Sequence, residues 1–301
     1  MNKIKYLVLT IILFSALNNI GGTQVYIYEQ NVAERLDTNI VEVKGLDAYY
    51  SSKKLGAFIE DGKTIFRVFS PSTKELKLVV FNHVEDSLGA EYTLKKDDDG
   101  VWECSVDENL TGKYYGYKSY KEGESQDIYK PLIVDPYAKA VATYTTYMNP
   151  RKSIVFNDNY DWEGDKWIEQ DWRDLIIYEM HVRDLTADKT SGASLPGTYK
   201  GLIEKGTKGG INYVKSLGVN TVELLPSQEF GNIEIPYKKT LAGKFNTWNP
   251  YERNHWGYMT SNFFAPAAYY SEDWKELQWN TWMGEEGKQV TQFKDMVKAF
   301  H

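Results

Sequence analysis

The chain is expected to fold as a β-sandwich followed by the strand-helix-strand beginning of a parallel sheet. Three observations predict this multidomain arrangement. Short apolar runs between Leu55 and about Tyr120 alternate with turn residues and show no helical period. Two buried-type strand runs between Leu175 and Leu225 enclose one amphipathic helical segment. A chain of 301 residues with 42% hydrophobic content is long enough for two cores of ordinary size.

The elements of the sandwich follow in order. Thr64-Ile65-Phe66-Arg67-Val68-Phe69 and Leu76-Lys77-Leu78-Val79-Val80-Phe81 are strand-like, with Ser70-Pro71-Ser72 turning between them. Glu91 to Lys96 and Val101 to Val106 flank Asp97-Asp98-Asp99-Gly100, whose Asp-Gly pair signals a hairpin. After Thr111-Gly112, Lys113 to Tyr120 reads as a tyrosine-rich strand. The sandwich is placed at residues 51–145, after a linker at 23–50 and before a connector at 146–173.

The second part, residues 174–301, changes period. An apolar strand runs from Leu175 to Val182, and a second from Val219 to Leu225, where Pro226 ends it. Between them Ile211, Val214 and Leu217 share a helical face, and Gly218 stands where a left-handed residue closes a helix. The segment from Ser227 to about Glu286 is rich in Trp, Tyr, Asn and Pro and reads as a long functional loop. Val290, Phe293, Val297 and Phe300 then mark the apolar face of a last helix.

At the N-terminus Lys3 and Lys5 precede an apolar run from Leu7 to Leu17. This is the pattern of a secretory signal peptide, assigned to residues 1–22, and predicts a secreted, periplasmic or cell-envelope protein. The formal charge of -7 and pI near 5.3 disfavour nucleic acid and anionic membrane as partners, since both demand a basic field. The lone cysteine, Cys104, excludes an intrachain disulfide and a cysteine metal site, and its strand alternation with Trp102 and Val106 reads as an inert thiol. The 23 Tyr, 9 Trp and 12 Phe suit both strand packing and flat sugar faces.

Ordered motifs then carry a resemblance. Leu55-Gly56-Ala57, Phe66-Arg67-Val68-Phe69-Ser70-Pro71, Gly100-Val101-Trp102 and Gly112-Lys113-Tyr114-Tyr115 resemble a family-48 carbohydrate-binding module, an immunoglobulin-like sandwich. Asp135-Pro136-Tyr137-Ala138-Lys139-Ala140 resembles the segment that follows it. Ile177-Tyr178-Glu179-Met180-His181-Val182-Arg183-Asp184 looks like the first barrel strand of type I pullulanases and related debranching enzymes of the alpha-amylase superfamily, glycoside hydrolase family 13. Leu217-Gly218-Val219 with Val222-Glu223-Leu224-Leu225-Pro226 looks like the second strand. Asn254-His255-Trp256-Gly257-Tyr258 resembles the family's Asn-Trp-Gly-Tyr loop with one histidine inserted.

The resemblance implies a (β/α)8 TIM barrel that runs retaining hydrolysis of α-glucan through two carboxylates about 5 Å apart. A barrel needs about 250 residues. The portion from Asp174 to His301 is therefore expected to be the truncated start of one, ending before the strands that carry the family's nucleophile and acid. No catalytic residue and no metal ligand are assigned, and no cofactor is expected; calcium occurs in the family without support in these residues. Tyr258 is the leading substrate-binding candidate, because the family's tyrosine here stacks on sugar, with Trp256 and His255 beside it. Met259 stands where many pullulanases carry an acidic residue, which argues against strict α-1,6 specificity.

Other residues are weighed against these. Glu179, Asp184 and Glu223 are carboxylates near the strands, read as hydrogen-bonding rather than catalytic, and His181 and Arg183 as their structural partners. Trp102 is read as core, and one of Tyr114, Tyr115 and Tyr117 as an exposed platform for glucan. Two functions stand side by side: a pullulanase-like hydrolase by lineage, inactive alone, or a non-catalytic α-glucan-binding protein; an interrupted reading frame is the third.

Overall fold

The computed structural model describes residues 48–120, 130–145, 151–231, 254–272 and 281–301. The signal segment at 1–22 and nearly all of the expected linker lie outside them. Ser52–His301 forms one compact unit.

Among the described residues, two antiparallel sheets make the sandwich. The smaller runs β1 (Gly56–Glu60), β2 (Lys63–Phe69), β6 (Val101–Val106), β5 (Lys95–Lys96). The larger runs β14 (Trp282–Met283), β8 (Val141–Tyr144), β9 (Arg151–Ile154), β7 (Tyr114–Tyr120), β3 (Glu75–Phe81), β4 (Ala90–Thr93). Strand alternation sends Phe66, Val68, Trp102 and Val106 from one sheet, and Leu76, Leu78, Val80, Tyr115 and Tyr117 from the other, into a shared core. Phe66 meets Tyr115 edge to face at 5.0 Å.

The run read as a single strand, Glu91 to Lys96, is two. β4 pairs with β3 in the larger sheet and β5 with β6 in the smaller, and the chain changes sheets at buried Leu94. The Asp97–Gly100 turn closes with the Asp97 N–H donating to Val101 O at 2.8 Å, and Gly100 takes the left-handed conformation at φ 83°.

β3 is apolar almost throughout because the larger sheet is buried on both faces. Its Val79 and Phe81 point away from the sandwich interior, toward Tyr114, Ala140, Ala142, Ile154 and Val290. Val290 belongs to α4 (Lys288–Phe300), which thus lies against the outer face of the sheet. The segment expected to be a connector supplies β9, and the segment expected to be a loop supplies β14, so the sandwich draws strands from beyond residue 145. Hydrogen bonding explains both additions: without them the β7 and β8 edges would stand unpaired. The tyrosines follow the same logic. Tyr114, Tyr115 and Tyr117 are all buried, which corrects the expectation of an exposed glucan platform on that strand. Trp102 is core as expected, with its indole N–H donating to Ser70 O at 2.9 Å. Cys104 is half-buried, and burial raises its thiol pKa, consistent with an inert group.

Downstream, β10 (Ile177–Met180) and β11 (Thr221–Leu224) pair in parallel, in register from Ile177 with Thr221 to Met180 with Leu224. Between them lie α1 (Asp184–Ala187), α2 (Tyr199–Leu202) and α3 (Gly210–Ser216), and Gly218 has φ 74° as its position predicts. Val214 is buried but Leu217 is largely exposed, so the helical face is narrower than the sequence suggests. A second core gathers Met180, Val182, Tyr199, Leu202, Phe230, Tyr269, Tyr270 and Met296. On α4 the buried face includes Gln289 and Gln292 as well as Val290 and Met296. Gln289 donates to Val141 O at 3.2 Å and Gln292 accepts from the Glu272 N–H at 3.0 Å, so these two glutamines join the helix to its neighbours.

β12 (Gln228–Phe230) and β13 (Thr260–Pro266) form an antiparallel pair inside the stretch expected to be loop; residues 232–253 and 273–280 of it lie outside the described set. Asp135 ties this pair to the sandwich. Its carboxylate accepts from Tyr115 Oη at 2.7 Å and the Tyr137 N–H at 2.9 Å, while its carbonyl accepts from Asn262 Nδ2 at 3.2 Å. Burial pushes its pKa up to about 6 even against those donors.

Candidate functional site

The site lies where β10 and β11 end. Past Met180 the strand gives way at His181, and α1 begins at Asp184, which places these two side chains three residues apart on one turn. His181 is buried. Its Nε2 lies 2.9 Å from Tyr270 Oη and its Nδ1 accepts the Arg183 N–H at 3.3 Å, which favours the tautomer with the proton on Nε2. Burial lowers its pKa, partly offset by Asp184. Arg183 is also buried, with its guanidinium 4.6 Å over the Tyr269 ring and donating to Gly197 O at 3.3 Å. Where the sequence suggested carboxylate partners for both residues, the contacts run to tyrosines and a carbonyl as well.

The Asn254–Met259 segment folds over this corner. Asn254 Nδ2 donates to Tyr258 O at 2.7 Å and to Gly231 O at 3.3 Å, which closes the loop. Gly257 has φ 74°, and a Cβ there would sit 2.7 Å from Pro226 O and 2.9 Å from Tyr270 Oη. Only glycine lets the loop lie on the end of β11 this closely. Met259 carries φ 71°, an uncommon conformation for a non-glycine residue.

This contact brings His255 to the corner. Its Nε2 lies 2.8 Å from Asp184 Oδ1, and its ring is 4.8 Å from that of His181. Trp256 meets His181 at 6.0 Å and His255 at 5.2 Å, edge to face in both cases. Trp256 and Tyr258 remain 50% and 56% exposed. The loop thus forms a rim that carries all three sequence candidates: two solvent-exposed aromatic residues and a histidine held by a carboxylate. Such a rim can stack on an apolar sugar face and hydrogen-bond to hydroxyls.

Glu179 and Glu223 are register partners on the exposed face of the parallel pair, opposite the face that packs Tyr178, Val222 and Leu224 into the core. Only Asp184, of the three carboxylates weighed, joins the rim. Tyr270 gave no signal in the sequence, since its bond to His181 spans 89 positions. Glu229 was equally silent: fully buried on β12, it accepts the Ala268 N–H at 3.0 Å, and burial lifts its pKa to about 7 despite Arg151 nearby.

This architecture defines a class. Residues 54–138 match the family described as carbohydrate-binding module 48 (isoamylase N-terminal domain), and the chain carries a glycoside hydrolase family 13, debranching-enzyme-like N-terminal region. Among particular relatives, chloroplastic isoamylase 1 of Arabidopsis thaliana is 31% identical over 67% of this chain and 25% of its own length. Pullulanase of Bacillus subtilis is 28% identical over 85% of this chain and 32% of its own. Of solved structures, pullulanase from Bacillus acidopullulyticus superposes with a TM-score of 0.62 at 28% identity, covering 84% of this chain and 28% of that one. A mutant of the Paenibacillus barengoltzii pullulanase, complexed with maltotriose, gives 0.62 at 28%, covering 84% and 37%. The chain spans between 25% and 37% of the length of these relatives.

Proposed function

We propose that this chain is the N-terminal region of an exported α-glucan debranching hydrolase: a sandwich module joined to the first two strands of a (β/α)8 barrel. The carrying observation is the rim of Trp256, Tyr258 and His255 at the C-terminal ends of two parallel strands, the end at which barrel enzymes build their sites. Structural neighbours complexed with maltotriose and maltotetraose support an α-glucan as the ligand. Of the carboxylates weighed, Asp184 is engaged by two histidines, and Glu179 and Glu223 are register partners within the parallel pair, so the reading for this chain is glucan binding rather than turnover. Residues 1–22 direct export.

Native gels cast with starch test the binding. Retardation that is lost in Trp256→Ala/Tyr258→Ala supports the reading; equal retardation of the double variant overturns it. Dye release from labelled pullulan or starch by the same chain would refute binding without turnover. Recovery of the chain outside the cytoplasm with residues 1–22 removed tests export, and full retention inside with an intact N-terminus speaks against it.

A further inference from the structure

We infer that His181, Asp184 and His255 form a binding site for a divalent transition metal of the zinc class. Their three donor atoms lie within 4.8 Å of one another. Asp184 Oδ1 sits between the two rings, 3.3 Å from His181 Nδ1 and 2.8 Å from His255 Nε2. Zinc holds nitrogen and oxygen ligands at about 2.0–2.1 Å, so neighbouring ligand atoms in a tetrahedron are separated by about 3.3 Å. The His181–Asp184 edge already has this length. The Asp184–His255 edge is slightly short, and swinging the exposed His255 ring outward from the carboxylate brings the remaining edges into range.

The support around the ligands suits a metal too. His181 is held through its opposite nitrogen by Tyr270 Oη at 2.9 Å, the outer contact that orients a metal-bound imidazole, and its Nδ1 exchanges the long 3.3 Å contact from the Arg183 N–H for the ion. Tyr270 is itself clamped between Tyr199 and Phe230, at 5.7 and 5.9 Å between ring centres, so the anchor does not drift. Asp184 and His255 keep 44% and 43% of their side-chain surface exposed, which gives the ion a path in and leaves a fourth position for water. Two imidazoles and one carboxylate with an open position favour zinc over calcium or magnesium, which take oxygen ligands.

The site was hidden from the sequence because His181 and His255 are far apart along the chain, and an His-x-x-Asp pair alone is unremarkable. The experiment uses the full chain and the metal alone. Zinc chloride is titrated into chelator-free protein by calorimetry, and cobalt(II) is added in parallel and followed by its visible absorption. The expected result is one zinc per chain and a tetrahedral cobalt spectrum. Both signals should be lost in Asp184→Asn and in His255→Gln, a change on the exposed loop that spares the core. Tyr270→Phe should weaken zinc about tenfold by removing the outer contact. His301→Ala, which alters a histidine paired with Asp165 at 2.7 Å, should leave it unchanged. Absence of stoichiometric zinc binding, or its survival in an Asp184→Asn/His255→Gln double variant, overturns the proposal. Starch retardation measured without metal is read separately, so failure of zinc binding is distinguishable from failure of glucan binding.

Discussion

Asp135→Asn removes a buried ionisable group while preserving its shape. The carboxyl of Asp135 has an ordinary value of 3.8 and is pushed up to about 6 by burial. That is a shift of roughly two units, each of which is about 1.4 kcal/mol, or about 3 kcal/mol in total. A raised folded-state pKa means that folding favours the protonated carboxyl. Its contribution is fully present below pH 3.8 and is lost as pH rises through about 6. Asparagine cannot ionise, and its carbonyl can still accept the Tyr137 N–H while its amide faces the Tyr115 hydroxyl. Most of that range lies between pH 4 and pH 7, so the stability of the variant relative to the parent should rise by about 2 kcal/mol between them. Urea unfolding with linear extrapolation at both pH values measures it. Glu229, lifted to about 7, has the same sign in a window from 4.5 upward and cancels in the difference. A difference that is constant with pH, or that falls from pH 4 to pH 7, would refute the argument.

Phe66→Ala should cost about 3–5 kcal/mol, because Phe66 is wholly buried between the sheets and against Tyr115; a thermal melt within a degree of the parent would contradict the packing described. Gly257→Ala should cost about 1–2 kcal/mol from the left-handed backbone alone, and more from the Pro226 carbonyl; its starch retardation should weaken as the loop lifts from β11. Unchanged stability and unchanged retardation together would show that the loop does not rest there. Each of Tyr258→Ala and Trp256→Ala should lower glucan affinity by about 1 kcal/mol, read as gel mobility against starch concentration, with no change in the melt because both rings are exposed.

The sequence by itself determined most of the strands, because alternation against one core is a local property. Phe66, Val68, Leu76 and Leu78 announce their inward faces within a few residues, and Asp99-Gly100 announces its turn. The ordered motifs from Leu55 to Tyr258 likewise pointed to the debranching-enzyme kinship and to the loop that carries the rim.

Tertiary structure decided what depends on distant partners. β9 and β14 are short and weakly patterned, and they are strands only because β7 and β8 offer open edges. The expectation that one β7 tyrosine would be exposed fails because alternation cannot reveal that both faces of a sheet are covered; α4 and the second sheet cover them. The histidines tell the same story at the site. Nothing local couples His181 to Tyr270 or to His255, and only the seating of Gly257 on the end of β11 brings the inserted histidine to Asp184. Periodicity is written along the chain, whereas a cluster of donors exists only where the packing of non-adjacent segments puts it.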